Sequence, residues 1–168
     1  ARGAEARAGR HLQWSALHGS ALEDMLTTAC KEMGIWVADQ VKFYNEEINL
    51  SGKLDLVIAE PPDGELVITE IKTFYAYYAT KHILGNKRQR GRPKPNHLLQ
   101  LVLYLWHFRD KIRYGRLLYF ARDSNKHKEF KVWLKEENSD TTADWAIYVD
   151  SQRVTDFTVN DILKRFGD

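Results

Sequence analysis

The chain has 168 residues, of which 43% are hydrophobic and 12% are aromatic. This composition is typical of a folded globular protein and excludes an intrinsically disordered chain. No apolar run reaches the length of a membrane span, which excludes a transmembrane helix. The net charge of +2 does not by itself indicate a nucleic-acid partner, although the distribution of the charges is more informative.

The N-terminal residues have neither an apolar core nor a cleavage-site pattern, so we expect no secretory signal. Cys30 is the only cysteine, which excludes an internal disulfide and fits a reducing compartment. We therefore expect an intracellular protein, located in the host cytoplasm if it is viral. The length suits one domain over 1–168, with a motif-bearing core at 14–122 and a C-terminal strand and helix extension at 127–168.

Helical periodicity predicts a first helix over 12–33, which Gly34 ends. Three runs of β-branched and apolar residues follow, and turn-forming residues separate them. These strands and turns cover 35–49, Ser51-Gly52, 53–60, 61–64 ("PPDG") and 65–73. Because the second turn has only four residues, we expect the second and third strands to pair antiparallel.

The aromatic segment "FYAYYATKHIL" (74–84) is expected to be helical, and a loop at 86–95 follows it. Asn96 is expected to cap the apolar helix over 97–112. The remaining expected elements are strands at 115–122, 127–135 and 145–150 and a helix at 159–167. This order predicts a mixed α/β fold with a central sheet flanked by helices.

Two acids and a lysine fall on the predicted hairpin. Glu70 and Lys72 share one face of the third strand because side chains alternate; an internal Glu–Lys ion pair is the purely structural alternative. Asp55, in the second strand, can lie beside Glu70 across the ladder. Two close carboxylates repel each other, and a divalent cation such as Mg²⁺ or Mn²⁺ removes that conflict. With Lys72 facing the same point, the arrangement is typical of phosphodiester hydrolysis.

A polar stripe interrupts the otherwise apolar helix that follows the loop. Gln100 and Tyr104 are four residues apart and share a helix face, and His97 and His107 fall on the same stripe. Such a stripe needs a partner, which is either a substrate or, as the structural alternative, the sheet beneath the helix.

The segments "GKLDLVI", "ELVITEIKT" and "HLLQLVLYLW" resemble, in this order and at these gaps, the RecB-type branch of the PD-(D/E)xK nucleases. CRISPR-adaptation nucleases and several viral and phage exonucleases belong to this branch. The resemblance covers roughly residues 14–108 and implies a restriction-endonuclease-like core. The pattern of the branch falls on His18, Asp55, Glu70, Lys72, Gln100 and Tyr104.

The resemblance also implies a role for each matching residue. The implied ligands of one or two Mn²⁺ or Mg²⁺ ions are His18, Asp55, Glu70 and the backbone carbonyl of Ile71. Lys72 would serve the attacking water, while Gln100 and Tyr104 would position the nucleic-acid backbone. A histidine ligand favours Mn²⁺ somewhat, and the alternative for His18 is an ordinary helix histidine. Glu23 lies about 140° from His18 around a helix, so we expect it behind the site or on the surface.

Two departures from the family pattern affect these expectations. Leu54 replaces the proline of the family name, a loss that is common in this branch. Many CRISPR-type relatives carry four cysteines for an iron–sulfur cluster, and because this chain has one, we expect no cluster.

The segment "KRQRGRPKP" (87–95) is strongly basic and precedes the Gln-Tyr helix. The expected DNA-binding residues here are Lys87, Arg88, Arg90, Arg92 and Lys94. The core "RGRP" resembles a minor-groove AT-hook, whereas a mobile, solvated loop that binds phosphates without sequence preference is the favoured alternative. Tyr75, Tyr77 and Tyr78 either stack on unpaired bases or pack within the protein.

Together these features predict a metal-dependent deoxyribonuclease, an exonuclease that acts on single strands or duplex ends of DNA in repair or recombination. A structure-selective endonuclease and a non-catalytic DNA-binding module on the same fold are the alternatives. We expect no membrane partner. A homo-oligomer and fusion to a larger DNA-processing protein both stay open.

Overall fold

A computed structural model of the chain describes residues 19–75, 77–139 and 142–165. Within these residues, seven strands form one sheet in sequential order, with helices packed against it. The strands are β1 (Trp36–Asn45), β2 (Leu50–Glu60), β3 (Glu65–Phe74), β4 (Tyr114–Ala121), β5 (His127–Ser139), β6 (Thr142–Val149) and β7 (Gln152–Arg153). The helices are α1 (19–32), α2 (Tyr77–Leu84), α3 (Pro95–His107) and α4 (Val159–Lys164).

Neighbouring strands pair antiparallel except β3 and β4, which are parallel. A parallel pair needs a long crossover, and α2 and α3 supply it. The predicted mixed α/β fold with flanking helices is therefore confirmed. Among the described residues, no helix is both long and apolar enough to span a membrane.

The larger hydrophobic core joins α3 to the sheet. Leu101 is fully buried, and a Cβ atom added to Gly115 of β4 would lie 2.9 Å from its Cδ1 atom. The missing side chain of Gly115 thus lets α3 pack directly on β4. A smaller core, formed by Leu56, Ile58 and Val67, packs against Cys30 and Ile35 at the end of α1.

The hairpin between β2 and β3 has the predicted four-residue turn at 61–64, and Gly64 adopts a φ of 73° there. The turn expected at Ser51-Gly52 is wrong, because both residues lie within β2. The chain turns instead at 46–49, where Asn49 takes the left-handed conformation with a φ of 49°.

The cap expected at Asn96 is also wrong. Lys94 is the N-cap of α3 and Pro95 occupies the first turn, so Asn96 lies inside the helix. Proline favours this first helical position because its fixed φ suits the helix and its missing N–H is not needed there. The helix ends at His107, earlier than expected, and α2 begins at Tyr77 because Phe74 still belongs to β3.

Candidate active site

The site begins where the β2–β3 hairpin opens. The two strands pair from Glu60↔Glu65 to Leu56↔Thr69, and no further ladder pair joins them. We call this opening, after Leu56 and Thr69, the fork. Beyond the fork β2 still pairs with β1, while β3 still pairs with β4.

At the fork, carboxylates replace the ladder hydrogen bonds. The backbone N–H of Asp55 donates to Glu70 Oε1 at 3.2 Å, and the backbone N–H of Ile71 donates to Asp55 Oδ2 at 2.9 Å. Each acid thus accepts a hydrogen bond from the opposite strand. The structure brings Asp55 and Glu70 together at the position that the sequence predicts.

This carboxylate pair is electrostatically unfavourable on its own. Glu70 is only 2% exposed. Burial, followed by the neighbouring charge of Asp55, raises the pKa of Glu70 well above its ordinary value. Two oxygen donors in contact, one of them buried, form a donor set that suits a hard divalent cation. The residues present therefore fit the metal that the family resemblance implies.

Lys72 is held beside these acids by the Gln100–Tyr104 helix face. Its Nζ donates to Gln100 Oε1 at 3.0 Å, and Gln100 Nε2 donates to the Tyr104 hydroxyl at 3.1 Å. The Tyr104 hydroxyl also receives a hydrogen bond from the Lys53 backbone, and burial raises its pKa. The polar stripe therefore contacts the sheet, which was the structural alternative. A role in binding nucleic acid stays a prediction.

The absence of a side chain at Gly52 leaves space for the hydrogen-bonded chain Lys72–Gln100–Tyr104. A Cβ atom at Gly52 would lie 2.4 Å from the ring of Phe43 and 2.8 Å from the ring of Tyr104. The rings of Phe43 and Tyr104 themselves meet edge to face, with centroids 5.1 Å apart. The glycine three residues before Asp55 thus permits the close approach of α3 to β2.

An open cavity of about 690 Å³ lies next to the fork. Its lining combines acidic residues on α1 with cationic residues on β2, β3 and the end of β4. The charged and histidine residues that line it are Glu23, Asp24, Lys53, Lys72, His97 and Arg122. A phosphodiester carries negative charge and its cleavage needs cations nearby, so this mixed lining suits such a substrate.

Glu23, which the sequence analysis expected behind the site or on the surface, is a half-buried neighbour of the fork. It lines the cavity, and its Oε2 atom accepts a hydrogen bond of 3.2 Å from Gln40 Nε2. Burial and then the charge of Asp55 raise its pKa, so it is electrostatically coupled to the fork. The angle from His18 around one helix could not reveal this, because the position of α1 over the sheet decides which residues face the fork.

Gln40 is a neighbour that no sequence signal identified. By the β1–β2 register it lies opposite Asp55, between the pairs Asp39↔Leu56 and Val41↔Leu54. Its φ of 50° is left-handed, which costs roughly 1–2 kcal/mol for a residue other than glycine. Such strained residues concentrate at functional sites.

His97 contributes an uncharged group to the cavity. Its Nδ1 lies 2.7 Å from the hydroxyl of the buried Tyr119, which also accepts the backbone N–H of Lys94 at 3.2 Å. Burial, then the charges of Lys72 and Lys94, lower the pKa of His97 to about 4. His107, on the same stripe, instead contacts Asn45 Nδ2 at 2.9 Å, away from the cavity lining.

Several predicted residues cannot be placed. His18 lies outside the described residues, as do the side chains of Tyr77 and Tyr78. Tyr75 is 51% exposed. Within the described part of the chain, no group of three or more His, Cys, Asp or Glu side chains could hold a metal ion.

The basic loop 86–94 is folded onto α2. Asn86 Oδ1 accepts the backbone N–H groups of Arg88 and Gln89, and the Arg92 N–H donates to His82 O, each at 2.8 Å. Gly91 is buried, and a Cβ atom there would lie 2.0 Å from Ile83 O. Because the backbone at Gly91 packs on α2, it is not available to the floor of a minor groove, which argues against the AT-hook interpretation. Binding of phosphates by this loop without sequence preference stays a prediction.

The fold and the fork place two carboxylates in contact, of which Glu70 is buried, and a lysine at the open end of a hairpin in a mixed α/β sheet. A model of the PD-(D/E)XK nuclease superfamily matches residues 3–164, and the chain belongs to that superfamily. Members generally hydrolyse phosphodiester bonds of nucleic acids and use divalent metal ions, typically Mg²⁺ or Mn²⁺.

The crystal structure of SSO0001 is similar to this chain, with 26% sequence identity and a TM-score of 0.48. The similarity covers 68% of this chain and 51% of SSO0001, so the chain spans about half the length of that protein. A search of curated proteins finds no match.

Proposed function

We propose that this chain is a metal-dependent deoxyribonuclease of the RecB-type branch, with one nuclease domain and exonuclease activity on DNA ends. The observation that carries this proposal is the contact of Asp55 with buried Glu70 at the fork, with Lys72 anchored nearby. The order of the Asp, Glu-x-Lys and Gln-x-x-x-Tyr motifs supports assignment to the RecB-type branch. Enzymes of that branch tend to act on DNA ends, which supports exonuclease activity.

Asp55 and Glu70 would hold the cation, together with the Ile71 carbonyl. His18 is the proposed nitrogen ligand. Glu23 is outside this proposed ligand set, although the charge of Asp55 acts on it. When bound, a divalent cation would supply Lewis acidity for the attack of water on the phosphodiester.

The chain's own residues supply positioning and charge. The Lys72 ammonium, oriented by its hydrogen bond to Gln100, stabilises the negative charge on the phosphoryl oxygens in the transition state. Tyr104 fixes the Gln100 amide in the orientation that accepts from Lys72. Asp55 and Glu70 stay in place because each accepts a backbone hydrogen bond across the fork.

The test is incubation of end-labelled DNA with Mn²⁺, with and without a chelator. We expect degradation that stops in the chelator and falls at least about 100-fold in Lys72→Ala. Lys126→Ala, an exposed lysine in the β4–β5 turn, is the matched control and should retain full activity. Degradation that survives Lys72→Ala would remove the catalytic assignment, and binding without cleavage would favour the non-catalytic DNA-binding module.

A covalently closed single-stranded circle separates the two nuclease alternatives. An exonuclease cannot begin on a circle, so we expect the linear form to be degraded and the circle to persist. Cleavage of both forms at similar rates would favour the structure-selective endonuclease.

The basic loop is proposed to bind the DNA backbone without sequence preference. Replacing Arg88, Arg90 and Arg92 by Ala should weaken binding to AT-rich and GC-rich DNA equally. The slope of log affinity against log salt should also flatten, by about one unit for each lost phosphate contact. An unchanged slope would mean that the loop does not contact DNA.

A further inference from the structure

One cation in the lining of the cavity has no role in the motifs described above. Arg122 directly follows β4, and its backbone N–H donates to Phe74 O at 3.1 Å. Its Nε donates to Thr73 Oγ1 at 2.8 Å, and its guanidinium lies 5.4 Å from the centre of the Tyr75 ring. These contacts fix the guanidinium on the residue that follows Lys72.

The arginine is anchored through Nε but lacks a counter-charge. Among the described residues, Arg116 pairs with Glu60 and Glu129, and Arg153 pairs with Glu137, whereas no Asp or Glu lies within ion-pair distance of Arg122. Arg122 is also half-buried. A partly desolvated cation without a carboxylate favours an anion from outside the chain, and a guanidinium matches the geometry of a phosphate.

The position of Arg122 identifies that anion. It lines the same cavity as Lys72, and its anchor Thr73 follows Lys72 directly in β3. In a nucleic-acid strand whose scissile phosphate lies at Lys72, a neighbouring phosphate is the anion that can reach Arg122 in the same cavity. That phosphate carries a full negative charge, and its contact would set the register of the strand.

We propose that Arg122, oriented by Thr73, forms a phosphate subsite for the linkage next to the one that is cleaved. This inference rests on the proposed nuclease function and deepens it by naming a strand-positioning residue. Lys72 acts at the reacting phosphate, whereas Arg122 holds its neighbour, so the loss of Arg122 affects placement of the strand.

The test uses linear DNA in which one linkage is an uncharged methylphosphonate, with cleavage at each position mapped under single-turnover conditions. We expect the neutral linkage to reduce cleavage of the adjacent linkage on one side by about tenfold in the wild-type chain. Arg122→Ala should reduce cleavage of normal DNA by a similar factor and show no further loss at the neutral linkage. Arg113→Ala, an exposed arginine that precedes β4, is the control and should behave like the wild type.

Two further variants separate binding from a structural role. Arg122→Lys keeps the charge but loses the planar, bidentate guanidinium, and Thr73→Val removes the hydroxyl that anchors it. Both variants should therefore give intermediate losses of cleavage with unchanged thermal stability. The proposal would be overturned if the two changes acted independently. In that case the loss of cleavage in Arg122→Ala on DNA with the neutral linkage would equal the product of the two separate losses.

Failure of the proposed function has a different signature, namely no cleavage of any DNA by the wild-type chain. The subsite is then decided by binding of unmodified single-stranded DNA in chelator across a salt series. We expect Arg122→Ala to reduce the salt slope by about one unit relative to Arg113→Ala, and equal slopes would overturn the proposal.

Discussion

The two ends of the β2–β3 hairpin differ in what holds them together. From Glu60↔Glu65 to Leu56↔Thr69 the strands form a regular ladder, and their central side chains are buried and apolar. At the fork the ladder stops, and the side chains of Asp55 and Glu70 accept the backbone N–H groups instead. One end of the hairpin is thus a scaffold and the other end is a site.

This difference shows how a strand pair can carry buried acids. A buried carboxylate is costly unless it is hydrogen-bonded. At the fork the strand backbones supply those hydrogen bonds. The cost that remains appears as the raised pKa of Glu70, caused by burial and by Asp55, which a bound cation would relieve.

The largest expected effect comes from the site end. Glu70→Gln keeps the size of the side chain but removes the negative charge, so activity should fall by about 1,000-fold or more. Because the acid is already disfavoured in its charged form, the free energy of unfolding in chelator should not decrease. Single-turnover cleavage and urea denaturation measure the two quantities. A large loss of stability would mean that Glu70 belongs to the scaffold.

The scaffold end should show the opposite pattern. Ile68 is fully buried, so Ile68→Ala should lower the free energy of unfolding by about 2–5 kcal/mol through lost burial and a cavity. Activity per folded molecule should stay within about twofold of the wild type. Urea denaturation and active-site titration check this result, and a selective loss of activity would contradict the separation of the two ends.

A smaller effect on the cleavage rate is expected from loss of the hydrogen bond between Lys72 and Gln100. Gln100→Ala frees the ammonium and should lower the cleavage rate by about tenfold. The same substitution in a Lys72→Ala background should cost little, because the group that it orients is gone. Additive losses in this double-mutant cycle would show that Gln100 contacts the substrate independently of Lys72.

The smallest effect concerns pH and His97. Its pKa is lowered to about 4 in the folded chain, by burial first and then by Lys72 and Lys94, while the unfolded value is about 6.5. Between these values the unfolded chain binds a proton that the folded chain does not, so stability falls as the pH falls from about 6.5 toward 4. His97→Gln should show a smaller decrease in melting temperature between pH 7 and pH 5. An equal decrease would assign the acid sensitivity to other groups.

The sequence predicted the hairpin well, because the strand periodicity and the "PPDG" turn are local signals. It also predicted the proximity of Asp55 and Glu70, since a four-residue turn sets their register. It could not show that Glu23 lines the cavity or that Gln40 lies beside it, because the docking of α1 and the left-handed conformation at Gln40 depend on tertiary packing. The turn expected at Gly52 was wrong for a related reason, since that glycine serves the close packing of Tyr104 on β2.

Calorimetric titration with Mn²⁺ tests the central claim, that the fork binds a divalent cation, most directly. We predict that the wild-type chain takes up Mn²⁺ and that Asp55→Asn and Glu70→Gln each abolish this uptake. Glu129→Gln, which removes an exposed carboxylate paired with Arg116, should leave the uptake unchanged. An absence of uptake by the wild-type chain, or uptake that persists without Asp55 and Glu70, would contradict the account.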